Sequence, residues 1–108
     1  MSQFDNREKA AENKFSHDKE LQFKATARRN KLLGQWAAGL MGMEGEAVAA
    51  YAREVIESDF EEAGDDDVYR KVKADLDKAG ITKSEHQVRR QMEELLNTAI
   101  AQVKSEIK

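Results

Sequence analysis

The chain has 108 residues, room for one domain with a single hydrophobic core. It has no Cys and no Pro, 40% hydrophobic and 36% charged residues, and a formal net charge of −3. That composition excludes disulfides, thiolate metal sites and a Cys nucleophile, and argues for an all-helical protein. Residues 1–15 carry no apolar core of a secretory signal. The longest mostly apolar run, residues 32–43, falls short of the roughly 20 residues a bilayer demands. A soluble protein is expected.

Residues 1–18 alternate in charge sign through Asp5, Arg7, Glu8, Lys9, Glu12, Lys14 and Asp18. Asp5 and Lys9 form a favourable i,i+4 pair, whereas Glu8 and Glu12 repel at the same spacing. Phe4, Ala11 and Phe15 make one thin helical stripe. That is too little apolar surface to fold alone, because an isolated helix of this length is marginal in water. The segment is expected to be mobile when free and to become helical in a partner's groove.

The first core helix is expected at about residues 19–41. Leu21, Ala25, Leu32, Trp36 and Leu40 share a face, widened one column by Leu33 and Ala37. Lys24, Arg28, Arg29 and Lys31 give this stretch four basic residues and no acidic one. They are assigned to other faces, Arg28, Arg29 and Lys31 being the candidates for anion binding. Residues 44–67 reverse the balance, with ten acidic residues against Arg53 alone. An acidic segment beside a basic one argues against nucleic acid as partner.

A second helix is expected at about residues 45–62, with Val48, Tyr51, Ala52, Val55, Ile56 and Phe60 at helical spacing. Gly64 ends it, and the run Asp65, Asp66, Asp67 supplies a cap and negative charge to the next N-terminus. A calcium loop counted from Asp65 would need Gly at position six and Glu at twelve, where Arg70 and Leu76 stand. The third helix, about residues 67–79, presents Val68, Tyr69, Val72 and Leu76 and stops at Gly80. Two overlapping capping boxes, one beginning at Thr82 and one at Ser84, announce a fourth at about residues 83–106. Its stripe is the cleanest in the chain: Val88, Met92, Leu95, Leu96, Ala99, Ile100, Val103 and Ile107. The expected architecture is all-α: a small four-helix bundle over residues 19–108, preceded by a mobile segment at 1–18.

Catalytic chemistry is not visible. There are two His, at 17 and 86, no HExxH, and no GK[ST] after the glycines at 34, 39, 42 and 45. Neither a metal nor a cofactor is expected, and the chain reads as a non-enzyme. Composition and periodicity reach a small helical interaction protein, with a nucleotide- or polyanion-binding module through Arg28, Arg29 and Lys31 as the alternative.

Particular residues carry the argument further. Phe4-Asp5-Asn6-Arg7-Glu8-Lys9-Ala10, Lys14-Phe15, His17-Asp18, Leu21-Gln22-Phe23-Lys24 and Ala27-Arg28-Arg29-Asn30-Lys31-Leu32-Leu33-Gly34, followed by Trp36-Ala37, resemble the bacterial ATP synthase zeta subunit. Asp59-Phe60-Glu61-Glu62, Gly64-Asp65-Asp66-Asp67-Val68 and Met92-Glu93-Glu94-Leu95 extend the resemblance over nearly the whole chain. The resemblance implies a four-helix bundle that inhibits ATP hydrolysis by the catalytic head of an F-type ATP synthase. It implies an N-terminal segment that inserts as a helix between α and β subunits and blocks rotation of the γ shaft. The α, β and γ subunits are thus the implied partners, with no direct membrane insertion. The implied location is cytoplasmic, peripheral at the inner membrane through the synthase. Carried over by position, the inhibitory residues are Phe4, Asp5, Arg7, Glu8, Lys9, Glu12, Lys14 and Phe15, with the two Phe as apolar anchors. His17, with an unperturbed pKa of about 6.5, is a candidate pH sensor at the end of that segment.

Overall fold

A computed structural model describes the backbone of residues 2–60 and 65–106 and the side chains of residues 19–59 and 65–106. Four α-helices follow one another: α1 (Ser2–Leu40), α2 (Glu46–Glu57), α3 (Asp66–Lys78) and α4 (Glu85–Glu106). A short 3-10 helix, Ser58–Phe60, prolongs α2. No strand occurs among the described residues, so the fold is the all-α, four-helix architecture that the apolar periodicity implies.

Length sets the shape. α1 has 39 residues, against 12, 13 and 22 in α2, α3 and α4. At about 1.5 Å per residue it spans about 58 Å, and the molecule measures 63 × 26 × 22 Å. The helix expected from about residue 19 is therefore helical back to Ser2, and it outreaches its neighbours.

α1 packs chiefly against α2 and α4, which flank it. Leu33, Ala37 and Ala38 are fully buried, joined in one core by Tyr51 and Val55 of α2, Val68, Val72 and Leu76 of α3, and Val88 and Met92 of α4. The stripe's other column behaves differently. Leu21, Leu32, Trp36 and Leu40 are only half-buried, because a helix wedged between two others centres its buried arc on Leu33 and Ala37. Trp36 and Leu40 cover the rim of the core rather than forming its middle.

Local chemistry explains where the elements start and stop. Gly34 sits where α1 meets α2: a Cβ there would lie 2.5 Å from the Ala52 Cα, so only a glycine permits this approach. The C-termini of α1 and α3 close with one motif. Met43 N–H donates to the Ala38 carbonyl and Ile81 N–H to that of Leu76, both at 2.9 Å. Gly42 and Gly80 provide the positive φ that each turn requires. Of the two capping boxes, the later one forms. Gln87 N–H donates to Ser84 Oγ at 3.1 Å, and Ser84 N–H donates to Gln87 Oε1 at 2.9 Å. α2 ends differently, with Ser58 Oγ donating to the Val55 carbonyl at 2.6 Å as the chain tightens into its 3-10 turn.

Candidate functional site

The candidate site is the length of α1 that leads away from the bundle. Phe4, Asp5, Arg7, Glu8, Lys9, Glu12, Lys14, Phe15 and His17 all belong to α1 by backbone, and their side chains lie outside the described residues. Among the described residues, the first fully buried side chain of α1 is Ala25. Lys19, Glu20, Gln22, Phe23 and Lys24 are exposed and Leu21 is half-buried. Lys24 and Glu20 pair across one turn at 3.2 Å, an exposed pair that adds a few tenths of a kcal/mol to the helix.

The basic cluster does not form one surface. Arg29 is 1% exposed: its Nη2 donates to Asp65 Oδ1 at 2.8 Å and its Nε to Asn30 Oδ1 at 2.7 Å. Asn30, equally buried, passes its own Nδ2 hydrogen to Asp59 Oδ2 at 3.0 Å. Two consecutive residues of α1 thus bind Asp59 and Asp65, on either side of the connection between α2 and α3. Arg28 turns to α4, donating to Gln102 Oε1 at 2.9 Å and Glu106 Oε1 at 2.8 Å. Lys31 is exposed. A helical wheel places Arg29 off the apolar stripe, yet it is buried, because Asp65 brings a carboxylate to its Nη2 and Asn30 accepts from its Nε.

Asp65 occupies the cap position of α3, but its side chain makes no capping bond and serves Arg29 instead. Asp66 and Asp67 lie in the first turn, where the helix dipole favours their charge. Asp66 also accepts from Arg89 of α4 at 3.1 Å. Bonds to Glu85 and Asp66 push the Arg89 guanidinium above its ordinary pKa.

A second network joins α2 to α3. Tyr51 Oη donates to Asp75 Oδ2 at 2.9 Å, and Lys71 Nζ donates to the same oxygen at 3.0 Å and to Glu54 Oε1 at 3.3 Å. The Lys71 ammonium stands 5.3 Å from the Tyr51 ring centroid. Burial, then the hydrogen bond to Asp75 and the charges of Asp75 and Glu54, push the Tyr51 phenol far above its ordinary pKa. Burial lowers the Lys71 ammonium, but its bonds to Asp75 and Glu54 outweigh that and raise it overall. Both groups keep their protons at neutral pH, so the network is a structural tie.

Two shallow grooves open where α1 leaves the bundle. One, of about 380 Å³, lies among Lys19, Phe23, Thr26, Ala27, Ile56 and Asp59. The other, of about 330 Å³, lies among Phe23, Lys24, Ala27, Arg28, Ile56 and Val103. Phe23 stands between them and is 77% exposed. The apolar stripe did not single it out, because it sits off the core column beside basic residues. An aromatic out of register was the available signal.

No group of three His, Cys, Asp or Glu among the described residues could hold a metal ion. No helix among them is long and apolar enough to cross a membrane. Together these features define a small helical-bundle protein whose longest helix outreaches its bundle. The profile of the ATPase inhibitor subunit zeta family matches residues 1–102, and the chain belongs to that family. It is also similar to a protein solved by solution NMR, at 50% sequence identity and a TM-score of 0.71. That match covers 80% of this chain and 98% of the other. No curated protein sequence matches. The family's name indicates inhibition rather than catalysis, and an ATP synthase as partner.

Proposed function

We propose that this chain inhibits ATP hydrolysis by the catalytic head of an F-type ATP synthase, with residues 1–18 as effector and residues 19–108 as holder. The segment inserts as a helix between an α and a β subunit and blocks rotation of the γ shaft. Phe4 and Phe15 are its apolar anchors, and Asp5, Arg7, Glu8, Lys9, Glu12 and Lys14 pair across the interface. His17 stands at the end of the inserted segment, where protonation would alter its fit. The observation that carries this reading is the extent of α1, which continues as helix to Ser2 while the first fully buried side chain among its described residues is Ala25. A helix presented beyond its own core has an apolar face free for another protein. The polyanion reading gains nothing from Arg28 and Arg29, whose guanidiniums already bind Gln102, Glu106 and Asp65.

The test compares ATP hydrolysis by the cognate head in the presence of the full chain and of residues 21–108. The full chain should inhibit and the shortened one should not, with the same far-ultraviolet helical signature per residue in the bundle. Equal inhibition by both would assign the blocking to the bundle surface and remove residues 1–18 from the mechanism.

A further inference from the structure

Among the described residues, Phe23 is the one large hydrophobic side chain left exposed. A single exposed apolar residue is ordinary on a protein surface, but this one has a built neighbourhood. The grooves on its two sides share Ala27 of α1 and Ile56 of α2 as apolar walls. An exposed aromatic ring over an apolar floor is the arrangement of a binding anchor. Its border carries four basic side chains, Lys19, Lys24, Arg28 and Lys31, all within about two and a half turns of Phe23 on the same helix, against the two carboxylates of Asp59 and Glu106. Lys24 and Arg28 are paired with Glu20 and Glu106, while Lys31 meets no carboxylate among the described residues.

We propose that Phe23 is a second anchor of the inhibitor, seated at the mouth of the cleft that receives residues 1–18. Its seat is an apolar notch bordered by acidic side chains of the ATP synthase head. This inference rests on the insertion proposed above and adds a contact outside the inserted segment. The continuity of α1 selects this occupant. Phe15 and Phe23 belong to one unbroken helix, and eight residues at about 1.5 Å per residue separate them by about 12 Å along its axis. A protein that encloses Phe15 therefore brings its rim within about 12 Å of Phe23. The basic border fits acidic residues on that rim, and such a contact also speeds encounter at low ionic strength.

The experiment uses the full chain with three single variants: Phe23→Ser, Lys31→Glu and Phe15→Ala. For each, the half-inhibitory concentration against ATP hydrolysis is measured, together with the thermal midpoint and the mass in solution. Phe23→Ser should raise the half-inhibitory concentration about tenfold at an unchanged thermal midpoint, since an exposed ring contributes little to the core. Lys31→Glu should raise it by a smaller factor, and added salt should shrink that difference. If Phe23→Ser and Lys31→Glu inhibit like the parent while Phe15→Ala is weakened, the second anchor is overturned and the insertion stands. If Phe23→Ser is weakened and Phe15→Ala is not, Phe23 remains a contact and the insertion falls. A full chain that self-associates, and that Phe23→Ser renders monomeric, would make a second copy the occupant and overturn the proposal.

Discussion

Between Ala25 and Leu40, α1 is gripped from both sides: Leu33, Ala37 and Ala38 are sealed in the core, Gly34 lies against the backbone of α2, and Arg29 reaches Asp65. Between Lys19 and Lys24 the same helix carries one exposed ion pair, one exposed Phe and no fully buried side chain. Identical backbone geometry thus rests on two sources of order. In the gripped half, burial and packing fix the helix, and a substitution acts through stability. Between Lys19 and Lys24, local propensity and the Lys24–Glu20 pair contribute to the helix without a buried side chain. Such support is marginal for an isolated helix in water. On the proposed insertion, coupled ordering would cost about 2–5 kcal/mol of the gross interaction energy and so keep inhibition reversible.

Substitutions at three positions, Gly34 in the gripped half and Asp65 and Tyr51 outside it, sharpen this contrast, because each should lower stability while leaving the inhibition of the folded fraction intact. Gly34→Ala should have the largest effect. The added methyl would overlap the Ala52 Cα, and forcing the helices apart should cost about 3 kcal/mol in chemical denaturation. An unchanged denaturation midpoint would show that α2 can shift without loss. Asp65→Ala comes next. It strands the Arg29 guanidinium with Asn30 as its remaining acceptor, at about 2 kcal/mol, a value reduced by the half-exposure of Asp65. Since Asp65 makes no capping bond, Asp65→Asn should recover part of this loss by accepting a neutral hydrogen bond. Equal losses for Ala and Asn would place the whole effect in the charge.

The smallest effect is seen through pH. The Tyr51 phenol is raised above its ordinary pKa of about 10. The folded chain then holds a proton that the unfolded chain releases. Its contribution is complete below about pH 10 and declines as pH rises beyond it, by at most about 1.4 kcal/mol per pH unit. Lys71, also raised, adds in the same direction. Tyr51→Phe should cost about 1 kcal/mol at pH 7 and flatten the decline between about pH 10 and 11.5. A parent and a variant with parallel stability curves over that window would assign the alkaline loss to other groups.

Much of this fold was legible from periodicity. The apolar columns of α2, α3 and α4 identified Val55, Val72, Leu76, Val88 and Met92, which form the core with α1. Gly80 marked a helix end through a backbone requirement that only local sequence needs to satisfy. What escaped depends on partners distant in the chain. Arg29 looked like part of a solvated basic face, and its burial is understandable only once Asp65, 36 residues later, is beside it. The same holds for Asp65, which reads as a helix cap until Arg29 claims its carboxylate. Trp36 stood on the expected apolar face, yet a bundle that flanks α1 on two sides leaves it on the rim. Phe23 escaped for another reason. It matched the family pattern but lay off the apolar stripe, and among the described residues it stays 77% exposed, so its meaning lies in the surface it presents.

The clasp between Arg28 and α4 also has a bearing on synthesis. Gln102 follows Arg28 by 74 residues, so the chain must grow by that length before the partner exists. At roughly 5–20 residues per second this takes about 4–15 s. During that interval α1 can meet α2 and then α3, but its other flank stays open. The flank of α1 that α4 will cover therefore emerges into solvent unpaired, the kind of exposure that invites association between nascent chains. Ribosome spacing and chaperone access during those seconds, rather than the stability of the finished bundle, would then govern how much of this protein reaches its folded state.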